Sequence, residues 1–188
     1  MKHFSVLLLV FFFIVGCNDG DIIVKNFNFD EVPLKTCGEI GSYVFYKENP
    51  ESFESLSLLL SISDSLYTEP GVKNYSLSSS NTVNYRRYDG TLGNNYFCTS
   101  IPPSSPNILE EYKAVSGVAE LLVTFEYENG QTPPKADSPD NQNKPAQETL
   151  HKHLQIVLKD LVLIKGDEQI IIQTLDMGTI EDIEVIEL

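Results

Sequence analysis

Ala119-Glu120-Leu121-Leu122-Val123-Thr124-Phe125-Glu126-Tyr127 is the stretch that decides the fold. Its odd positions are all apolar, whereas three of its four even positions are charged or polar. This two-residue period is that of a strand with one face in a core. The same period recurs in Leu154, Ile156 and Leu158, set between His153, Gln155, Val157 and Lys159, and Ile170–Ile172 is a short run apolar throughout. Further strands are expected over Ile22–Phe29, Ser42–Lys47, Ser55–Ser61, Thr82–Tyr88, Leu161–Ile164 and Ile183–Leu188. Between them lie turn residues such as Glu69-Pro70-Gly71, Asp89-Gly90 and Lys165-Gly166-Asp167. The best short helix signal is Ser105–Lys113, with Pro106 near its start and Glu110 and Glu111 in its first turns.

Eight or nine short β-rich runs separated by turns predict an all-β domain, a single antiparallel β-sandwich over residues 22–188. In general architecture it resembles the immunoglobulin class. The chain contains no Trp, so the Trp that accompanies a paired cysteine in antibody domains is missing. Residues 129–149 form a polar stretch with Asn129-Gly130, Pro133-Pro134, Pro139 and Pro145, read as a long loop between two strands. Within it Asp137 and Asp140 lack the spacing of a calcium loop.

The N-terminus gives an address. Lys2 and His3 precede ten unbroken apolar residues, Val6–Val15, followed at once by Gly16 and Cys17. This is the pattern of a secretory signal, and it is too short for a membrane span, which needs about 20 apolar residues. Ile14-Val15-Gly16-Cys17 resembles the lipobox of bacterial lipoproteins. The resemblance implies that residues 1–16 are a signal peptide cut before Cys17. It also implies that the Cys17 thiol carries a diacylglycerol and that the new amino group is acylated, typically by a fatty acid of the palmitate class. Residues 17–21 then form a short tether to an outer membrane. Asp19 and Asp21 behind the cysteine look like surface-export signals, which places cell-surface display ahead of a periplasm-facing position.

Cysteine parity supplies an independent argument. The chain has three cysteines, Cys17, Cys37 and Cys98. Assigning Cys17 to lipid leaves a pair, which in an oxidising compartment is expected to form a disulfide; two buried free thiols are the alternative.

Charge narrows the partners. With 13 Lys plus Arg against 27 Asp plus Glu, the formal charge is −14, the reverse of a nucleic-acid-binding footprint. No nucleophile elbow, phosphate-binding loop, dinucleotide fingerprint or H-E-x-x-H zinc motif occurs. No catalytic residue and no cofactor is therefore assigned. His151 and His153, two apart at a strand entrance, suit a metal held by two side chains, and equally two solvent-facing histidines. Arg86 and Arg87 are the only arginines, set in Tyr85-Arg86-Arg87-Tyr88 with Tyr96 beyond. Arginine and tyrosine together suit recognition of a ligand; the competing reading is a hairpin with inward tyrosines and arginines that neutralise nearby acids.

The sequence thus predicts a membrane-tethered, non-catalytic binding module for a protein or glycan ligand, using loops that include residues 91–106 and 129–149. A structural or assembly subunit, or a hydrolase without a recognisable motif, are the alternatives.

Overall fold

The computed structural model describes residues 21–25, 27–63, 66–99, 101, 103–127 and 150–181. Nine strands build it: β1 (Asp21–Ile22), β2 (Lys35–Glu39), β3 (Ser42–Asn49), β4 (Glu54–Leu60), β5 (Gly71–Ser76), β6 (Thr82–Tyr88), β7 (Ile108–Tyr127), β8 (Leu150–Lys165) and β9 (Glu168–Ile180). All belong to one sheet in the order β1-β9-β8-β7-β6-β4-β3-β2, and β5 pairs with β7 off that path. The fold is all-β, as the alternation predicts. The sheet is mixed, because β1 runs parallel to β9 while every other pair is antiparallel.

Strand β7 organises the molecule. Its first part pairs with β6 along Ile108–Lys113, and its second part pairs with β5 along Val118–Val123. Between the two, its register against β8 shifts twice around Ser116. Gly117, at φ +138°, and Asp160, at φ +50°, occupy this break. The inserted residues change the parity of the buried side chains: Tyr112 is followed by Ala119, Leu121 and Val123, and Leu154, Ile156 and Leu158 by Leu161 and Leu163. Without the bulges, one half of each strand would turn its apolar row to solvent. Both halves instead face one core, which joins Phe45 and Leu58 to Tyr85, Leu121, Ile156 and Met177. The far end of β9 approaches the β3 side of the molecule: a Cβ placed on Gly178 would stand 3.8 Å from both Leu34 Cβ and Lys47 Nζ. Lys47 is itself buried, and burial holds its ammonium below the usual lysine range despite the nearby Asp176 and Asp30.

A second, smaller cluster lies on the opposite face of β3, β4 and β6. The segment 89–107 crosses there, with Phe97 against Tyr46 at 4.7 Å between ring centroids and Tyr96 against Tyr88 at 5.6 Å. Tyr88 reaches the buried Ser55 hydroxyl at 3.1 Å. Cys98 is bonded to Cys37 of β2, with Cα atoms 5.7 Å apart. The expected disulfide is therefore in place, and it fastens this segment to the edge of the sheet.

Three local expectations are corrected. Ser105–Lys113 is not a helix. From Ile108 it is strand β7, because Glu110 and Glu111 pair across the ladder with Arg87 and Arg86 while Tyr112 enters the core. Ile22–Phe29 is strand only over Asp21–Ile22. Beyond it Phe27 and Phe29 turn onto Tyr85 at 5.0 and 6.5 Å, taking the chain across from β9 towards β2. The two runs 153–159 and 161–164 are one continuous strand, β8, because the bulge at Asp160 bends the ladder without ending it. The 129–149 stretch, Ile183–Leu188, the signal segment 1–16 and Cys17 lie outside the described residues.

Candidate functional site

Alternation along β6 decides where the Arg-Tyr group goes. Tyr85 points into the core and is fully buried, whereas Tyr88 points to the other face and is buried under Tyr96. The pairing of β6 with β7 then sets Arg86 opposite Glu111 and Arg87 opposite Glu110. Arg86 binds Glu111 through Nε at 2.7 Å and Nη2 at 2.6 Å. Arg87 donates from Nε to Glu110 at 3.1 Å, and Lys25 reaches the same carboxylate at 3.2 Å. The structure thus brings Tyr88 and Tyr96 together, places Tyr85 apart on the core side, and commits both guanidinium groups to carboxylates. The five residues do not share one exposed surface.

Glu110 gives this network a pH signature. Its hydrogen bond from Arg87, supported by Lys25, holds its carboxyl down at about 2, below the ordinary 4.5. A depressed folded-state value contributes stability that is complete above about 4.5 and is lost as the pH falls towards 2. Glu110→Gln is therefore expected to lower the melting temperature at pH 6 and to leave it nearly unchanged at pH 2. Thermal melts of both proteins across that window check this, and a difference independent of pH would contradict it.

His151 and His153 project from one face of β8, opposite Glu126 and Thr124 of β7. His153 borders an open polar groove of about 310 Å³ that also holds Thr124, Gln155, Thr179 and Glu181. Among the described residues no three His, Cys, Asp or Glu side chains stand close enough to hold a metal ion.

The more enclosed concavity lies elsewhere, where the β3–β4 turn meets the start of the 89–107 segment. It is a hollow of about 250 Å³ with apolar walls from Pro33, Pro50, Phe53 and Leu92. Its shape follows from local chain chemistry. Buried Asn49 at the end of β3 donates to the Asn28 carbonyl at 2.9 Å, and its Oδ1 accepts from the Glu51 and Ser52 amides at 2.9 and 3.3 Å. That side-chain-closed turn holds Phe53 at φ +55°, a conformation uncommon for a bulky residue, with its ring partly exposed.

Polar groups stand around the apolar floor. Lys35 donates to Glu48 at 2.5 Å, and this bond raises the lysine above its usual range. Tyr85 donates to Glu54 at 2.6 Å, and burial together with that carboxylate pushes its phenol far up. An apolar pocket with a few oriented polar groups suits a side chain or ring presented by a ligand more than it suits bond making. Sequence reading reaches this site only through Thr91 and Leu92, which belong to the expected binding segment. Pro33, Pro50 and Phe53 carry no motif, although Asn49-Pro50 is itself a turn signal.

No protein-family model matches the chain, and no curated protein or solved structure is significantly similar to it.

Proposed function

We propose that the chain is an exported, lipid-anchored protein of a bacterial outer membrane, displayed at the cell surface, whose folded domain is a non-catalytic binding module. The observation that carries this reading is the division of the three cysteines. Cys37 and Cys98 meet, which suits an oxidising compartment and leaves Cys17, at the end of the lipobox-like segment, single. The same reading takes the bent sheet as an immunoglobulin-like sandwich, supported by its one core and by the approach of β9 to the β3 side.

The ligand site is the hollow beside Phe53 and Leu92, and the ligand is a protein or glycan that inserts an apolar side chain or ring. The disulfide pre-organises that site by tying Cys98, six residues beyond Leu92, to β2. Glycan and peptide arrays probed with the mature domain test it. Leu92→Asp is expected to weaken capture about tenfold or more with the fold intact. Undiminished capture by Leu92→Asp together with loss on Arg86→Ala would move the site to the arginine patch.

An assembly role is favoured by one further observation. Among the described residues no strand pairs with the outer edge of β2, the end of the sheet, and such an edge suits pairing with a strand from a partner protein. Co-purification of a stable envelope partner that is lost on Thr36→Pro would support docking through this edge.

A further inference from the structure

Alternation along Ile108–Ser116 of β7, Leu161–Lys165 of β8 and the first residues of β9 leaves an apolar row on the face turned away from the core. Ile23 packs on the core, so Ile22 and Val24 face outward, and they are 67% and 98% exposed. Ile22 pairs with Gln169 of β9, and Ile171 follows two residues on, on the same face, at 53% exposed. Ile171 pairs in turn with the half-buried Val162 of β8. On β7, Leu109 and Val115 belong to this face at 54% and 53% exposed.

On this face Glu111 accepts from Arg86 and from Lys113, the latter at 3.0 Å, so its carboxylate is paired with cations on both sides. Asp21 and Asp167 stand at the rim of the face, joined by the bond from the Asp21 amide to the Asp167 carbonyl at 2.9 Å. The face thus carries a row of exposed apolar side chains beside a paired carboxylate and is bordered by the point where the chain enters the sheet.

Chain length names the occupant. Asp21 lies four positions after Cys17, and a fully extended link of that length reaches about 14 Å. A lipid on Cys17 would therefore keep this face within one tether length of the headgroups. We propose that the outer face of β1, β9, β8 and β7 rests on the bilayer surface, with Ile22, Val24 and Ile171 in the headgroup–acyl boundary. The inference rests on the lipid-anchored reading and adds an orientation to it. Apolar side chains at that depth supplement the acyl chains in holding a protein to a membrane. With a formal charge of −14 on the chain and Asp21 and Asp167 at the rim, the surface engaged is a zwitterionic one such as phosphatidylcholine, in preference to an anionic one.

The absence of Trp makes this measurable, since one introduced Trp gives a single signal. Lipidated mature protein carrying Val24→Trp or Ile171→Trp is reconstituted into phosphatidylcholine vesicles containing brominated lipid. Ile40→Trp, on the β2–β3 turn, and Val72→Trp, on β5, are exposed apolar controls. Quenching at positions 24 and 171 is expected to exceed that at positions 40 and 72 by about threefold or more, as for residues 5–10 Å into the boundary. Equal, weak quenching at all four, with the protein still floating with the vesicles, would overturn the orientation and leave the anchor standing. Protection of positions 24 and 171 by self-association without lipid would assign the face to a second copy and also overturn it. Mass spectrometry of the same preparation showing no lipid on Cys17 would overturn the anchored reading and this inference together.

Discussion

Reduction of the Cys37–Cys98 bridge is expected to lower the free energy of unfolding by about 4 kcal/mol, since 61 residues separate the two cysteines and closing a loop of that size restrains the unfolded chain by this order. The loss is large beside the 5–15 kcal/mol that a typical domain has in total. It is expected to be concentrated in one region. The bridge fastens the 89–107 segment over Tyr46 and Tyr88, whereas β7, β8 and β9 are held by their own ladder and core. Urea titrations with and without reductant give the magnitude, and hydrogen exchange gives the location. Cys37→Ser with Cys98→Ala should reproduce the reduced protein. Equal stability of the oxidised and reduced forms would show that the bridge does not constrain the folded domain.

The second large effect belongs to the bend in β7. A Cβ on Gly117 would meet Leu77 Cδ1 at 3.0 Å, the Lys159 carbonyl oxygen at 3.1 Å and Leu161 Cα at 3.2 Å, two of them backbone atoms of the facing strand. The φ of +138° adds conformational strain for any residue other than glycine. Gly117→Val is expected to cost about 3 kcal/mol or more, from strain of 1–3 kcal/mol plus overpacking of similar size. Gly41→Ala is the matched control: its φ is +98° but nothing lies within 4 Å of the added carbon, so only the strain of about 1 kcal/mol is expected. Denaturant midpoints of the two variants separate steric conflict at the bend from the general cost of replacing a positive-φ glycine. Equal costs would mean that β7 bends without needing a glycine at this position.

These two features also mark what was legible in the sequence. Strand identity was readable wherever one face is core and the other solvent, as in Ala119–Tyr127 and Thr82–Tyr88, because burial itself writes the period of two. The disulfide was readable from parity. β2 and β5 were not, because all their residues are exposed or half-buried and short exposed strands carry no apolar row. The helix expectation over Ser105–Lys113 failed because Glu110 and Glu111 are acids that also suit a strand when two arginines lie directly opposite.

The bulges of β7 and β8 leave no mark in the sequence, because a single inserted residue looks locally like the end of one strand and the start of another. At the site, alternation along β6 puts Tyr85 and Arg87 on one face and Arg86 and Tyr88 on the other, which explains why the patch does not assemble into one surface. The hollow was mostly illegible, since Pro33, Pro50, Phe53 and Leu92 converge only through tertiary contacts that no spacing encodes.

The central claim, that this β domain is carried on a membrane by Cys17, is tested most directly by the mass of the N-terminal peptide of the protein isolated from membranes. The account predicts a peptide beginning at Cys17 that bears a diacylglycerol and an acylated amino group. A peptide beginning at Met1, or one containing Cys17 with an unmodified thiol, would contradict it.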